Sequence, residues 1–180
     1  MRKEIFQKIK IPEGVEVDIN GGLVSVKGVQ GEISREFKSG KIKIEKKGDN
    51  ILIGHKSSTK NEKKLTNTIT AHINNMLKGI QEKFEYKLKI CSSHFPMSVD
   101  VKDNVATVKN FLGEKISRHV KMPKNVEIKI QGDIITINST NKEDAGQAAA
   151  NFEKTTKIRN RDRRVFQDGI FIISKDGREM

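Results

Sequence analysis

The feature that most limits what this chain can fold into is that its two halves follow the same pattern. Val17-Asp18-Ile19 returns as Val99-Asp100-Val101, and Leu23-Val24-Ser25-Val26-Lys27 returns as Val105-Ala106-Thr107-Val108-Lys109. Gly31-Glu32 with Ile33-Ser34-Arg35 matches Gly113-Glu114 with Ile116-Ser117-Arg118. Gly48-Asp49 followed by Ile51 and Ile53 matches Gly132-Asp133 followed by Ile135 and Ile137. The offset between partners stays within 82 to 84 residues. Chance supplies isolated matches of this kind, not an ordered series, so the chain is a tandem duplication. At 180 residues each copy is a small domain. The copies are expected to be residues 1–82 and 83–180, with the junction at Gln81 to Lys83.

Each copy opens with short apolar runs, several alternating with period two. In the first copy these are Ile9 and Ile11, then Val15, Val17 and Ile19, then Leu23, Val24 and Val26. Asn20-Gly21 between two such runs is a type I′ hairpin signal. Ile33 to Phe37, Ile42 to Ile44 and Ile51 to Ile53 continue the series, and Ile alternating with Lys over Lys41 to Glu45 marks a sheet with one wet face. A 3.6-residue period then takes over at Leu65, Ile69, Ile73, Met76, Leu77 and Ile80. Ser57, Ser58 and Thr59 are its candidate caps and Gly79 its candidate stop. In the second copy a helix opens at Asn141 to Asp144 with Ala145, Ala148, Ala149 and Phe152 inward. One more strand follows each helix, Tyr86 to Ile90 and Ile170 to Ile173; which sheet takes Tyr86 to Ile90 stays open. The expected class is α+β, two tandem repeats, each an antiparallel sheet covered on one face by a single helix.

Little in the chain looks catalytic. His55, His72, His94 and His119 are scattered, with no HExxH and no paired cysteine, so no metal site and no cofactor are expected. His72 borders the apolar stripe and reads as a packing residue. Cys91 is alone, reads as a small apolar filler and fits a reducing cytosol. The two glycine pairs, Gly21-Gly22 and Gly28 with Gly31, read as turns. No window approaches a membrane span and the N-terminus has no apolar leader, so a cytoplasmic protein is expected. No small-molecule substrate is implied.

Charge is more informative. The chain carries a net +12, which points to a polyanionic partner. Each copy holds an equal excess, but the first spreads it while the second concentrates it. Lys154, Lys157, Arg159, Arg161, Arg163 and Arg164 fall in one short segment with a single acid, Asp162. Arginine dominates there, and a guanidinium forks onto phosphate where an ammonium acts as a point charge. Extended, Arg159, Arg161 and Arg163 would share a side; helical, Lys157, Arg161 and Arg164 would. No aromatics interleave on an exposed sheet, so phosphate and shape contacts to folded RNA are expected to outweigh stacking on single strands.

Gln147-Ala148-Ala149-Ala150-Asn151, the basic run, and Arg161-x-x-Arg164-x-Phe166-x-Asp168-Gly169-Ile170-Phe171-Ile172 with Lys175 together resemble a ribosomal signature. It is that of the universal large-subunit ribosomal protein family numbered six, in its archaeal and eukaryotic branch. The start, Lys10-Ile11-Pro12-Glu13-Gly14-Val15, and the duplication extend the resemblance over essentially the whole chain, and the Pro/Lys/Gly-rich ending of the bacterial branch is missing. The resemblance implies a structural, non-enzymatic constituent of the cytoplasmic ribosome. Its partners would be large-subunit rRNA, near the sarcin-ricin loop and stalk base, and neighbouring ribosomal proteins. It also implies that the second copy makes most of the rRNA contact, through Lys154, Lys157, Arg159, Arg161, Arg163, Arg164 and Lys175. Two other classes rank below this one. One is a free RNA-binding or chaperone module; the other is a nuclease using His94 or His119 as its base.

Overall fold

The computed structural model describes residues 3–38 and 40–180. The chain divides into two compact units, Met1–Lys83 and Phe84–Met180, each with its own apolar core. In the first unit the strands are β1 (Lys3–Lys10), β2 (Glu16–Asn20), β3 (Leu23–Gly28), β4 (Gly31–Glu36), β5 (Lys43–Lys47) and β6 (Asn50–Ser58), followed by helix α1 (Lys60–Gln81). They form two antiparallel sheets, ordered β1-β6-β5 and β2-β3-β4. Alternation sends Ile9, Ile44, Ile51 and Ile53 from the first sheet and Val17, Val24 and Val26 from the second into one core. Ile69, Ile73, Met76, Leu77 and Ile80 of α1 complete it.

Local chemistry explains the boundaries. Among the candidate caps, Thr59 precedes α1; its N–H donates to the Glu62 carboxylate at 2.7 Å, half of a capping box. Gly79 does not stop the helix: it is buried inside it, and the chain turns extended only at Glu82. Leu65, expected on the apolar stripe, is 37% exposed, and Thr66 is buried in its place. The β2–β3 hairpin also differs from expectation, because only Gly21 of its two central residues has positive φ, the mark of a type II′ turn. The type I′ pattern sits at the equivalent turn of the second unit, where Asp103 and Asn104 both have positive φ.

The second unit repeats the plan with β7 (Phe84–Cys91), β8 (Ser98–Lys102), β9 (Val105–Lys109), β10 (Arg118–Lys121), β11 (Glu127–Gln131), β12 (Ile134–Ser139) and α2 (Lys142–Thr155). Two further strands follow, β13 (Gly169–Lys175) and β14 (Arg178–Glu179). The sheets are ordered β10-β9-β8 and β11-β12-β7-β13-β14. The sheet that takes Tyr86 to Ile90 is therefore the second unit's own: β7 opens this unit as β1 opens the first, and it pairs with both β12 and β13. The equation of Tyr86–Ile90 with Ile170–Ile173 as closing strands fails. Among the described residues, β13 and β14 have no counterpart in the first unit. Asn141 caps α2 by accepting from the Glu143 N–H at 3.1 Å, and Ala145, Ala148, Ala149 and Phe152 are all fully buried. Three of these four are alanines, so most of the buried face of α2 presents only methyl groups to the sheet, with Phe152 the one large side chain.

Candidate nucleic-acid interface

Between α2 and β13 the chain runs through residues 157–168 without regular structure. Its two ends are held together. The Thr156 hydroxyl, buried just past α2, accepts the Ile170 N–H at 2.9 Å and donates to the Phe152 carbonyl at 3.3 Å. Glu153 accepts the Ile172 N–H at 3.1 Å. At the other end Asp168, 3% exposed, accepts both the N–H and the hydroxyl of Ser93, each at 2.7 Å. Ile158 packs against the core. Arg118 braces the end of α2 from below. It donates to the Thr155 carbonyl at 2.6 Å and to both oxygens of Glu114, at 2.5 and 2.7 Å, with its guanidinium 4.3 Å from the Phe111 ring centroid. A loop with such joined and anchored ends is an Ω-loop, surface chain held by a rigid frame.

The loop is neither the extended nor the helical stripe expected. Apolar periodicity is missing from it, so local hydrogen bonds decide its course. The Asp162 carboxylate accepts the Arg164 N–H at 2.9 Å and its carbonyl accepts the N–H groups of Val165 and Phe166, giving a single turn. Arg164 then folds back on Asp162, with Nη2 2.7 Å from Oδ2 and Nε 3.1 Å from each oxygen. Those contacts hold the Asp162 carboxyl below its usual range and raise Arg164. Arg161 lies over the Phe166 ring at 4.8 Å. The side chains of Lys154, Lys157, Arg159 and Arg163 are exposed and have no hydrogen-bond or ion-pair partner among the described residues. Six of the seven candidate residues thus lie in this loop or at the end of α2 that leads into it, and Lys154, Lys157, Arg163 and Arg164 line one groove. Lys175 does not join them: it sits at the far end of β13, about 20 Å from Gly169 at the rise of a strand.

Under the loop lies an open groove of about 1110 Å³. Lys154, Lys157, Arg163 and Arg164 line one side of it, while Lys89 and Phe171 of the sheet and Ser92 and Ser93, just past β7, line the other. Lys89, Ser93 and Asp168 belong to this site although none of them is among the candidate residues, and Asp168 stands only within the signature motif. Lys89 was visible as an outward residue between Leu88 and Ile90, but its place beside the loop depends on β7 and β13 being neighbours. Cys91, half-buried, lines the same groove. His72, in α1, is partly packed, its ring 6.2 Å from that of Phe37. Among the described residues no group of three or more His, Cys, Asp or Glu could hold a metal, and no helix is long and apolar enough to cross a membrane. A fixed loop in which Lys157, Arg159 and Arg163 carry no partner among the described residues can neutralise several phosphates at once.

A family model described as "Ribosomal protein L6" matches residues 11–83 and 95–169, one stretch in each copy of the duplication. The large ribosomal subunit protein uL6 of Methanobrevibacter smithii is 45% identical over 172 residues, covering 96% of this chain and 97% of that protein. Proteins of the same name from Methanococcus vannielii and Methanosarcina mazei are each 41% identical, over 174 and 175 residues, and cover 97% of this chain. A match that spans both copies, together with relatives similar from end to end, shows that the chain belongs to the ribosomal protein L6 family, in its archaeal-type branch.

Proposed function

We propose that this chain is a structural, non-enzymatic constituent of the large ribosomal subunit in the cytoplasm and binds rRNA through the second unit. The observation that carries the RNA contact is the anchored loop at residues 157–168, with Lys157, Arg159 and Arg163 unpartnered and Lys154 beside them. Interactions within the protein hold the backbone, and these cations are left over for something outside it. Kinship with large-subunit proteins supports rRNA as that partner. Following the resemblance, the site on rRNA lies near the sarcin-ricin loop and the stalk base, with ribosomal proteins as further neighbours. Lys175, set apart from the loop, would make a separate contact.

Replacing Arg159, Arg161 and Arg164 with alanine tests this. Each phosphate contact contributes about 0.7–0.9 to the slope of log affinity against log salt. Binding of the variant to large-subunit rRNA, titrated over salt, should show that slope flattened by about two to three. The value lies nearer two if Arg164 keeps its Asp162 partner in the complex. An unchanged slope would remove the loop from the interface.

A further inference from the structure

The face of the large sheet beside the loop carries an aromatic ring that the phosphate reading does not use. β13 alternates strictly at its start: Ile170 enters the core while Phe171 points the other way and is 39% exposed. Across the sheet Phe171 pairs with Lys89, Lys89 with Ile134, and Ile134 with Gln131. Strand partners share a face, so Phe171, Lys89 and the 43%-exposed Ile134 form one row on the open side. A lone exposed phenylalanine is ordinary. Two observations set this one apart. It lines the groove whose other wall is the cationic loop. It also lies against Gly169: a Cβ there would stand 3.0 Å from Phe171 Cζ and 3.2 Å from Cε2, so the ring occupies the space a side chain would have filled. One side of the ring is backed by the strand and the rest opens on the groove.

We propose that Phe171 is a stacking platform for an unpaired, unstacked RNA base, and that Lys89, Lys154 and Lys157 take the phosphates flanking that nucleotide. This rests on the RNA reading and sharpens it: the ligand is not duplex shape alone but a folded RNA that offers a splayed-out nucleotide at the groove. Every base has a π-face, so the platform is tolerant of base identity, while the surrounding cations prevent a purely apolar occupant. Lys89 beside the ring adds an ammonium at the edge of the stacked base. Phe171 lies in the apolar run Ile170 to Ile173, yet it is 39% exposed and supplies an aromatic on an open sheet face.

The test uses the full chain with Phe171→Leu and Phe171→Tyr, and three probes: large-subunit rRNA, a uridine dodecamer and a blunt RNA duplex. Stacking on an aromatic side chain is worth about 5- to 150-fold in affinity. F171L should bind rRNA and the dodecamer at least about fivefold more weakly with the salt slope unchanged, leave the duplex unaffected, and melt with the parent. F171Y should bind as the parent does. If F171L binds rRNA normally while the triple-arginine variant still flattens the slope, the platform is refuted and the loop contact stands. If neither variant changes binding, both readings fail. Equal weakening on the duplex refutes stacking as well, because it marks a general loss of structure. Should F171L not fold, ultraviolet crosslinking of the unaltered protein to rRNA decides instead: a nucleotide adduct mapped to Phe171 is expected, and adducts confined to the loop overturn the proposal.

Discussion

Asp168 gives the sharpest test of whether the loop is held by the fold. Its two hydrogen bonds from Ser93 both fall on Oδ1, at 2.7 Å. An asparagine can place its amide oxygen there and keep both, losing only the charge on the acceptor; alanine loses both. Hydrogen bonds to a charged group contribute about 1.5–3 kcal/mol each. Two reductions apply: removing a buried carboxylate also removes its desolvation cost, and Ser93 is exposed, so its donors can turn to water. The net cost of Asp168→Ala should be about 2–3 kcal/mol, and that of Asp168→Asn about 1 kcal/mol. For a unit of about a hundred residues these correspond to midpoint shifts of roughly 10–20 °C and 4–8 °C. Urea titration gives the free energies, and hydrogen exchange at the Ile170 amide, which donates to Thr156, reports on the neck of the loop. In rRNA binding D168A should lose affinity at every salt concentration while keeping the parental slope, because its cations remain. If D168A and D168N are equally mild, the clamp is ornamental and the loop's order has another source.

Two further outcomes follow from the geometry. Gly54 lies in the central strand β6, and a Cβ there would stand 2.1 Å from the Ile5 carbonyl oxygen and 2.8 Å from Phe6 Cα. Backbone must move to admit it, so Gly54→Ala should lower the stability of the first unit by about 1–3 kcal/mol in urea titration; an unchanged midpoint would show that β1 shifts at little cost. Hydrogen bonds from Arg118 hold the Glu114 carboxyl below its usual range. A carboxyl depressed in the folded state stabilises above its unfolded pKa, and that contribution is lost as pH falls through the folded value. Stability of the parent should therefore fall more steeply below about pH 4.5 than that of Glu114→Gln, and parallel curves would refute the coupling.

Patterns that depend on near neighbours were legible in the sequence. Ala145, Ala148, Ala149 and Phe152 follow as inward from their spacing alone and are fully buried, and Thr59, one of three candidate caps, is the residue that precedes α1. What depends on distant pairing was not. Nothing local says that each unit divides its strands between two sheets, or that β7 serves the second unit. Leu65 and Thr66 show that a stripe drawn from hydropathy can miss by one residue, because Thr66 is in step with Ile69, Ile73 and Ile80 on the buried face while Leu65 falls at its margin. Within the candidate site the cations were visible as composition, but their arrangement was not. The loop takes its course from an Asx turn at Asp162 and from a clamp to Ser93, 75 residues away.

The duplication makes the loop's origin a matter of comparison. In the first unit α1 passes through Glu82 and Lys83 into the next unit, and β1 stays at the edge of its sheet. In the second, β13 returns to cover the matching edge of β7, so the chain leaving α2 must cross the end of the sheet before it can pair. The loop is that crossing. β13 also supplies what fixes it: Ile170 in the core, the Ile170 and Ile172 N–H groups held by α2 and its cap, and Gly169 beneath Phe171. The same cations on an unpinned tail would carry equal charge, but ordering them on RNA would cost conformational entropy at every residue. The extra strands of the second unit thus accomplish two things at once: β13 pairs the edge of β7 that β1 leaves open in the first unit, and it converts a basic segment from a counter-ion cloud into a surface with a shape.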